Sequence, residues 1–173
     1  MRQLFLAVAL AAAFVSAGAG AQAATVSTYV PSAEKVGEAR LKYLLLDIYD
    51  ATLLAPNGTY ERGEPVALSL DYLRKLKGNA IAKRTIKEIR GQGFSDTAVL
   101  DRWFAEIVKI FPDVDKGSNI TGVLDAERVT HFFIDGQKAG SVSDPEFGPR
   151  FFDIWLGEKS SEAKMRDQLI GKD

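Results

Sequence analysis

The sequence predicts an α+β domain in which a mostly antiparallel sheet is covered by helices on one face. Two features predict it. The elements come in blocks of strands, two helices, strands and two more helices, without the single-strand, single-helix alternation that a doubly wound dinucleotide fold requires. The spacing of apolar residues changes with the blocks, from short continuous runs to recurrences every three or four residues. Of 173 residues, 46% are hydrophobic and 10% aromatic, enough for one core. No linker, repeat or low-complexity run marks a second domain.

Met1 to Ala23 has a short positive start at Arg2, an apolar run from Leu4 to Val15, and small residues ending in Ala21-Gln22-Ala23. This is the pattern of a cleaved secretory signal peptide. Its strongly apolar stretch is about a dozen residues, short of the ~20 that span a bilayer, and no cysteine follows it to carry a lipid. The expectation is an exported chain, periplasmic or else secreted, with residues 24–173 as a single domain and no stable membrane insertion after cleavage.

Between Val36 and Tyr72 the chain reads as strands. Leu41 to Ile48 is an apolar run, Ala55-Pro56-Asn57-Gly58 is a turn, and Val66 to Tyr72 is a buried strand. A helix follows Gly78, with Asn79 as its cap, Ala82, Ile86 and Ile89 on one face, and Gly91 at its end. A second begins near Ser95, carries Val99, Trp103, Ile107 and Phe111 at four-residue intervals, and stops at Pro112. Strands return at Asn119 to Leu124 and Arg128 to Ile134, and Asp135-Gly136 turns the latter into Lys138 to Val142. Asp144-Pro145 opens a third helix with Phe147, Phe151, Ile154 and Trp155 facing inward, ended by Gly157. A fourth runs from Ser160 or Ser161 to Gly171.

Composition removes several function classes. With 22 basic and 23 acidic side chains the net charge is -1, so no overall basic field attracts nucleic acid. The absence of cysteine excludes disulfides, thiolate metal sites and cysteine nucleophiles. The one histidine, His131, cannot build a two-histidine metal site, and no Gly-x-Ser-x-Gly elbow accompanies it. Asp113, Asp115 and Gly117 make a turn, since the glycine of a calcium loop would fall one place later and Leu124 stands where its glutamate belongs. No cofactor and no metal are expected. Lys75, Lys77, Lys83, Arg84, Lys87 and Arg90 form a basic stretch opposite the apolar stripe of the first helix. That is a solvated face, with local charge able to meet an anionic partner or a lipid headgroup.

Arg40 and Tyr49 are the pair that suggests chemistry. A guanidinium beside an apolar run needs a partner to offset its desolvation, and a phenol can donate to the same oxygen. On a hairpin that turns both toward the helices, they would clamp a carboxylate or phenolate at the mouth of an apolar cleft. On the opposite register Arg40 pairs with Glu38 or Asp47 and Tyr49 is a core aromatic.

Ile48-Tyr-Asp-Ala-Thr-Leu-Leu-Ala-Pro56 and Phe147-Gly-Pro-Arg-Phe-Phe-Asp-Ile-Trp-Leu-Gly157 resemble the bacterial chalcone isomerase-like proteins. Leu70 to Gly78, Phe111 to Gly117 and Met165 to Gly171 continue the resemblance in order, over roughly Val36 to Gly171. It implies an open-faced β-sandwich with a ligand cleft between a large sheet and its helices. The enzymes of that superfamily hold the reacting phenolate with a strand arginine, polarise the ketone with a threonine, and complete the cleft with a helical tyrosine, lysine and asparagine. The resemblance puts Arg40 within one residue of that arginine, Tyr49 at the threonine, Ile81 at the tyrosine, Arg84 at the lysine and Glu88 at the asparagine. Most of the catalytic set is therefore altered, and an isoleucine cannot donate to a developing oxyanion. The arginine–tyrosine combination resembles instead the family's fatty-acid-binding members. The expected function is a non-catalytic binder of a small amphipathic carboxylate such as a fatty acid. Arg40 and Tyr49 would hold its head, with the tail against side chains such as Ile81, Phe104 or Phe152. An isomerase acting on another substrate and a protein-interaction module with a filled cleft are the alternatives.

Overall fold

The computed structural model of the chain describes residues 25–172. The predicted signal peptide lies outside them. Six strands, β1 (Ala33–Tyr43), β2 (Leu46–Pro56), β3 (Val66–Tyr72), β4 (Asn119–Leu124), β5 (Thr130–Ile134) and β6 (Gln137–Val142), form one antiparallel sheet in sequence order. The helices are α1 (Gly78–Gly91), α2 (Thr97–Ile110), α3 (Phe147–Leu156) and α4 (Ala163–Leu169). They pack on one face of the sheet, as the blocks of the sequence predict.

Alternation along the strands decides which face is which. Val66, Leu68, Leu70 and Tyr72 of β3 join Ala51 and Leu53 of β2, Ile120 and Leu124 of β4, and Phe132 of β5 in the main core beneath the helices. The alternate residues Ala67, Val123 and Phe133 form a second apolar cluster on the other face with Val26 and Val30. Residues 25–29 form a helical turn that brings those two valines onto the sheet. Between this cluster and the hairpin end, the second face is polar. Asn119 Nδ2 donates to Ser69 Oγ and to Asp71 Oδ1, both at 2.8 Å.

One helix start departs from the expected capping. Asn79 does not cap α1; the capping position is Lys77, and Gly78 N donates to Asp113 Oδ1 at 3.0 Å. Asp113 also lies 2.6 Å from Lys77 Nζ, so this acidic turn is an anchor for α1. Gly78 is required there, because a Cβ would stand 2.2 Å from the Phe111 carbonyl oxygen. The α2 cap is Asp96, whose carboxylate accepts from Val99 N at 3.1 Å. Asp135 and Gly136 have φ of 48° and 80°, the left-handed pair that a two-residue hairpin turn demands.

The larger departure is in the first hairpin. The apolar run Leu41 to Ile48 is not one strand: Tyr43 pairs with Leu46, and Leu44 and Leu45 make the turn. Their φ values of 45° and 68° belong to a turn type that favours Asn-Gly, so side-chain chemistry gave no sign of it. One step later the register shifts. Lys42 pairs with Asp47 and Leu41 with Tyr49, leaving Ile48 as the extra residue of a bulge.

Candidate functional site

A cavity of about 320 Å³ lies between the helix face of the sheet and the helices. Its floor is the row Leu41, Tyr49 and Tyr72, which are register neighbours across three strands, with Leu70 and Ile120 beyond. Ile81, Arg84, Thr85 and Glu88 of α1 form one wall, Phe151, Ile154 and Trp155 of α3 another, and Met165 of α4 closes it. The lining is mainly hydrocarbon and aromatic carbon, and the polar groups are few.

The bulge at Ile48 determines what the hairpin contributes. Continuing the Tyr43–Leu46 register without it would pair Arg40 with Tyr49 and turn both side chains the same way. With it, Arg40 pairs with Asp50 and points to the polar face. There the guanidinium binds Asp50 through two nitrogens, at 2.6 and 2.8 Å, and Asp47 through a third at 3.0 Å. The expected Arg40–Tyr49 clamp does not form, and Arg40 does not line the cavity. Its pairing with Asp47 was the alternative that the sequence left open. Phe104 and Phe152 are likewise absent from the lining, whereas Ile81 is present. Phe152 is buried against the sheet near Gly122.

Tyr49, Ile81, Arg84 and Glu88 are brought together around the cavity. The Tyr49 hydroxyl accepts from Trp155 Nε1 at 2.9 Å, leaving its own proton to donate. The Tyr49 ring meets Tyr72 edge-on, centroids 5.7 Å apart. Burial pushes both phenols well above their ordinary value of 10.0; for Tyr49 the Trp155 hydrogen bond and the Arg84 charge offset only part of this. Both therefore stay protonated, as hydrogen-bond donors, across the physiological range.

Arg84 is the cation of the rim. Its Nε lies 2.6 Å from Glu88 Oε1 in an i,i+4 pair, with the Arg84 side chain 57% exposed and that of Glu88 14%. Glu88 is held a second time by the Ser161 hydroxyl, at 3.0 Å. The pair occupies Nε and leaves the two terminal guanidinium nitrogens without a partner among the described residues. That fork suits a carboxylate.

Trp155, Tyr72 and Ser161 join the site without having been assigned to it from sequence. The inward spacing of Phe151, Ile154 and Trp155 places the indole, and the alternation Leu68, Leu70, Tyr72 places the phenol, but neither pattern shows that they share a cavity. His131 is on the opposite face, where its Nε2 lies 2.7 Å from Asp125 Oδ2 and its ring lies against Tyr29. Among the described residues, no group of three or more His, Asp or Glu side chains is placed to hold a metal ion.

Comparison with known proteins bears on the family and the fold. Residues 34–171 match the chalcone isomerase-like family. An uncharacterized protein of Haemophilus influenzae is 27% identical over 140 residues, covering 80% of this chain and 68% of that one. In three dimensions the chain is similar to the crystal structure of an Arabidopsis thaliana fatty-acid binding protein, with a TM-score of 0.63 and 18% identity over 81% of this chain and 87% of that chain. A six-stranded antiparallel sheet, helices on one face, an apolar cavity between them and a sequence match over residues 34–171 lead to one assignment: the chain belongs to the chalcone isomerase-like family.

Proposed function

We propose that this protein is a non-catalytic binder of a small amphipathic carboxylate, with a long-chain fatty acid as the type ligand, and that it works in the periplasm after export. The observation that carries the proposal is the cavity itself: apolar walls, two protonated phenols on the floor, and at the rim one arginine, Arg84, beside Glu88 and Glu162. Its volume of about 320 Å³ falls within the ordinary range for small-molecule sites. An acyl tail would gain roughly 25 cal/mol for each Å² of apolar surface removed from water. The head would accept from the Tyr49 hydroxyl and from the terminal nitrogens of Arg84, in place of the Arg40 clamp expected from sequence. The fatty-acid binding of the Arabidopsis protein with the same fold supports the choice of ligand.

Native mass spectrometry and lipid extraction of the purified protein test this proposal. A co-purifying fatty acid, or saturable uptake of one by delipidated protein, is the expected result. A delipidated protein that takes up no fatty acid would overturn it. Export is tested separately by the N-terminal residue of the protein recovered from the producing cell, expected to be Ala24.

A further inference from the structure

The tip of the β1–β2 hairpin breaks two rules at once. Its four consecutive side chains Tyr43, Leu44, Leu45 and Leu46 are 60%, 77%, 100% and 49% exposed, where a soluble surface ordinarily avoids such a run. Leu44 and Leu45 also carry positive φ, a conformation that costs a non-glycine residue and favours Asn-Gly. Neither the fold nor the hairpin benefits from leucine at these positions. Conflicts of this kind between local rules and the chosen residues mark functional sites.

What surrounds the tip identifies the kind of partner. Tyr43 and Ile48, on either side of the turn, line the same cavity as Ala80, Ile81 and Arg84 of α1, so the tip stands beside the cavity mouth. On the helix side the charge is positive: α1 carries Lys83, Arg84, Lys87 and Arg90 against the single acid Glu88. Lys42 precedes the tip and Asp47 follows it, their charges 3.5 Å apart, and Arg74 follows Leu73, whose N–H donates to the Ile48 carbonyl. The four tip side chains offer on the order of 500 Å², less than the ~800 Å² that each partner brings to a standard protein interface. A small, convex apolar tip beside a helix face rich in Lys and Arg matches the interior and the headgroups of an anionic bilayer.

We propose that the hairpin tip Tyr43–Leu46 docks the protein on an anionic phospholipid surface, with Leu44 and Leu45 entering the acyl layer and the basic face of α1 against the headgroups. This is peripheral docking, and no helix among the described residues is long and apolar enough to cross a membrane. It stands independently of what the cavity binds. If the cavity takes an acyl chain, docking brings its mouth to the source of such chains.

The chain has no cysteine, so a single Leu45→Cys can carry an environment-sensitive fluorophore, with Glu64→Cys as a control in the turn at the other end of β2. With vesicles of phosphatidylglycerol and phosphatidylcholine, the label at position 45 is expected to shift to the blue and to be quenched by lipid-borne quenchers. The label at position 64 is expected to do neither. In unlabelled protein, Leu44→Asp with Leu45→Asp should lower vesicle co-sedimentation about ten-fold or more. Leu44→Asn with Leu45→Gly should lower it similarly while raising the thermal midpoint, which separates docking from folding. Equal responses at positions 45 and 64, no response at 45, or a response at 45 that follows protein concentration without vesicles would overturn the proposal. The last of these would assign the tip to self-association.

Discussion

Trp155 donates its indole N–H to the hydroxyl of Tyr49 at 2.9 Å, tying α3 to β2 across the cavity. The bond fixes the direction of the phenol and leaves its proton free for a ligand. Tyr49→Phe removes the only hydrogen-bond acceptor that a mostly buried indole has among the described residues, and should cost about 1–3 kcal/mol of stability. Trp155→Phe should cost less through the hydrogen bond, since no donor is stranded, and more through packing against Phe151. Chemical denaturation of both variants measures the difference.

The two arginines should behave oppositely. Arg84→Ala removes the rim cation and is expected to weaken binding of a fatty acid about ten-fold or more, the loss of a charge-assisted hydrogen bond. Arg40→Ala, on the other face and paired with Asp47 and Asp50, should leave that affinity unchanged. Its stability effect should be small and should shrink further with added salt, as for exposed ion pairs generally.

Alkaline titration gives a second test of the cavity. Burial raises Tyr49 and Tyr72 above 10.0, so folding favours their protonated forms. Their contribution to stability is complete below the unfolded value near pH 10 and is lost as pH rises from there through the folded value. Tyr49→Phe and Tyr72→Phe should therefore leave the tyrosinate absorbance gained near pH 10 in the folded protein unchanged. Both should flatten the loss of stability above that pH.

Asp144 makes the acid-side counterpart. Its Oδ2 accepts from Trp103 Nε1 at 2.9 Å and from Arg102 at 2.6 Å, and its Oδ1 from Glu146 N at 3.0 Å. Burial pushes this carboxyl up, but the bonds from Glu146, Trp103 and Arg102 outweigh it and hold it below 3.8. The stabilisation is thus present above the unfolded value and is lost as pH falls through the folded one. Asp144→Ala should cost about 2 kcal/mol at neutral pH by leaving the Trp103 indole N–H unpaired. The penalty should diminish in acid, as thermal midpoints measured down a pH series would record.

At the start of α1, Gly78→Ala should destabilise by about 1–3 kcal/mol as an overpacked site, because the new methyl meets the backbone oxygens of Phe111 and Pro112 at 2.2 and 2.6 Å. Circular dichroism melts read this directly.

The block order, the apolar periods and the punctuation by Pro112, Gly157 and Asp135-Gly136 made the sheet and four helices legible in the sequence. The first hairpin was not legible, because Leu44 and Leu45 form a turn that leucine disfavours and because Ile48 adds one residue to β2. A one-residue bulge turns the following side chains to the opposite face. Arg40 left the cavity on that account, while Tyr49, Ile81, Arg84 and Glu88 converge on it. The Asp113 turn looked like punctuation and proved to anchor α1, since nothing local to residues 113–117 announces that Gly78 lies beside it. Trp155 and Tyr72 were legible as inward-facing and no further, because helix and strand periods fix a face but not the partner across it.

The most direct test of the site is a titration of delipidated protein with a fatty acid and with the matching fatty alcohol, followed by tryptophan fluorescence. Trp155 lines the cavity, while Trp103 is stacked on Phe94 outside it. The expected result is saturable binding of the acid, weakened by Arg84→Ala and untouched by Arg40→Ala, with affinity for the alcohol the same in all three proteins. Acid binding that survives Arg84→Ala at full strength, or that is lost in Arg40→Ala, would contradict it.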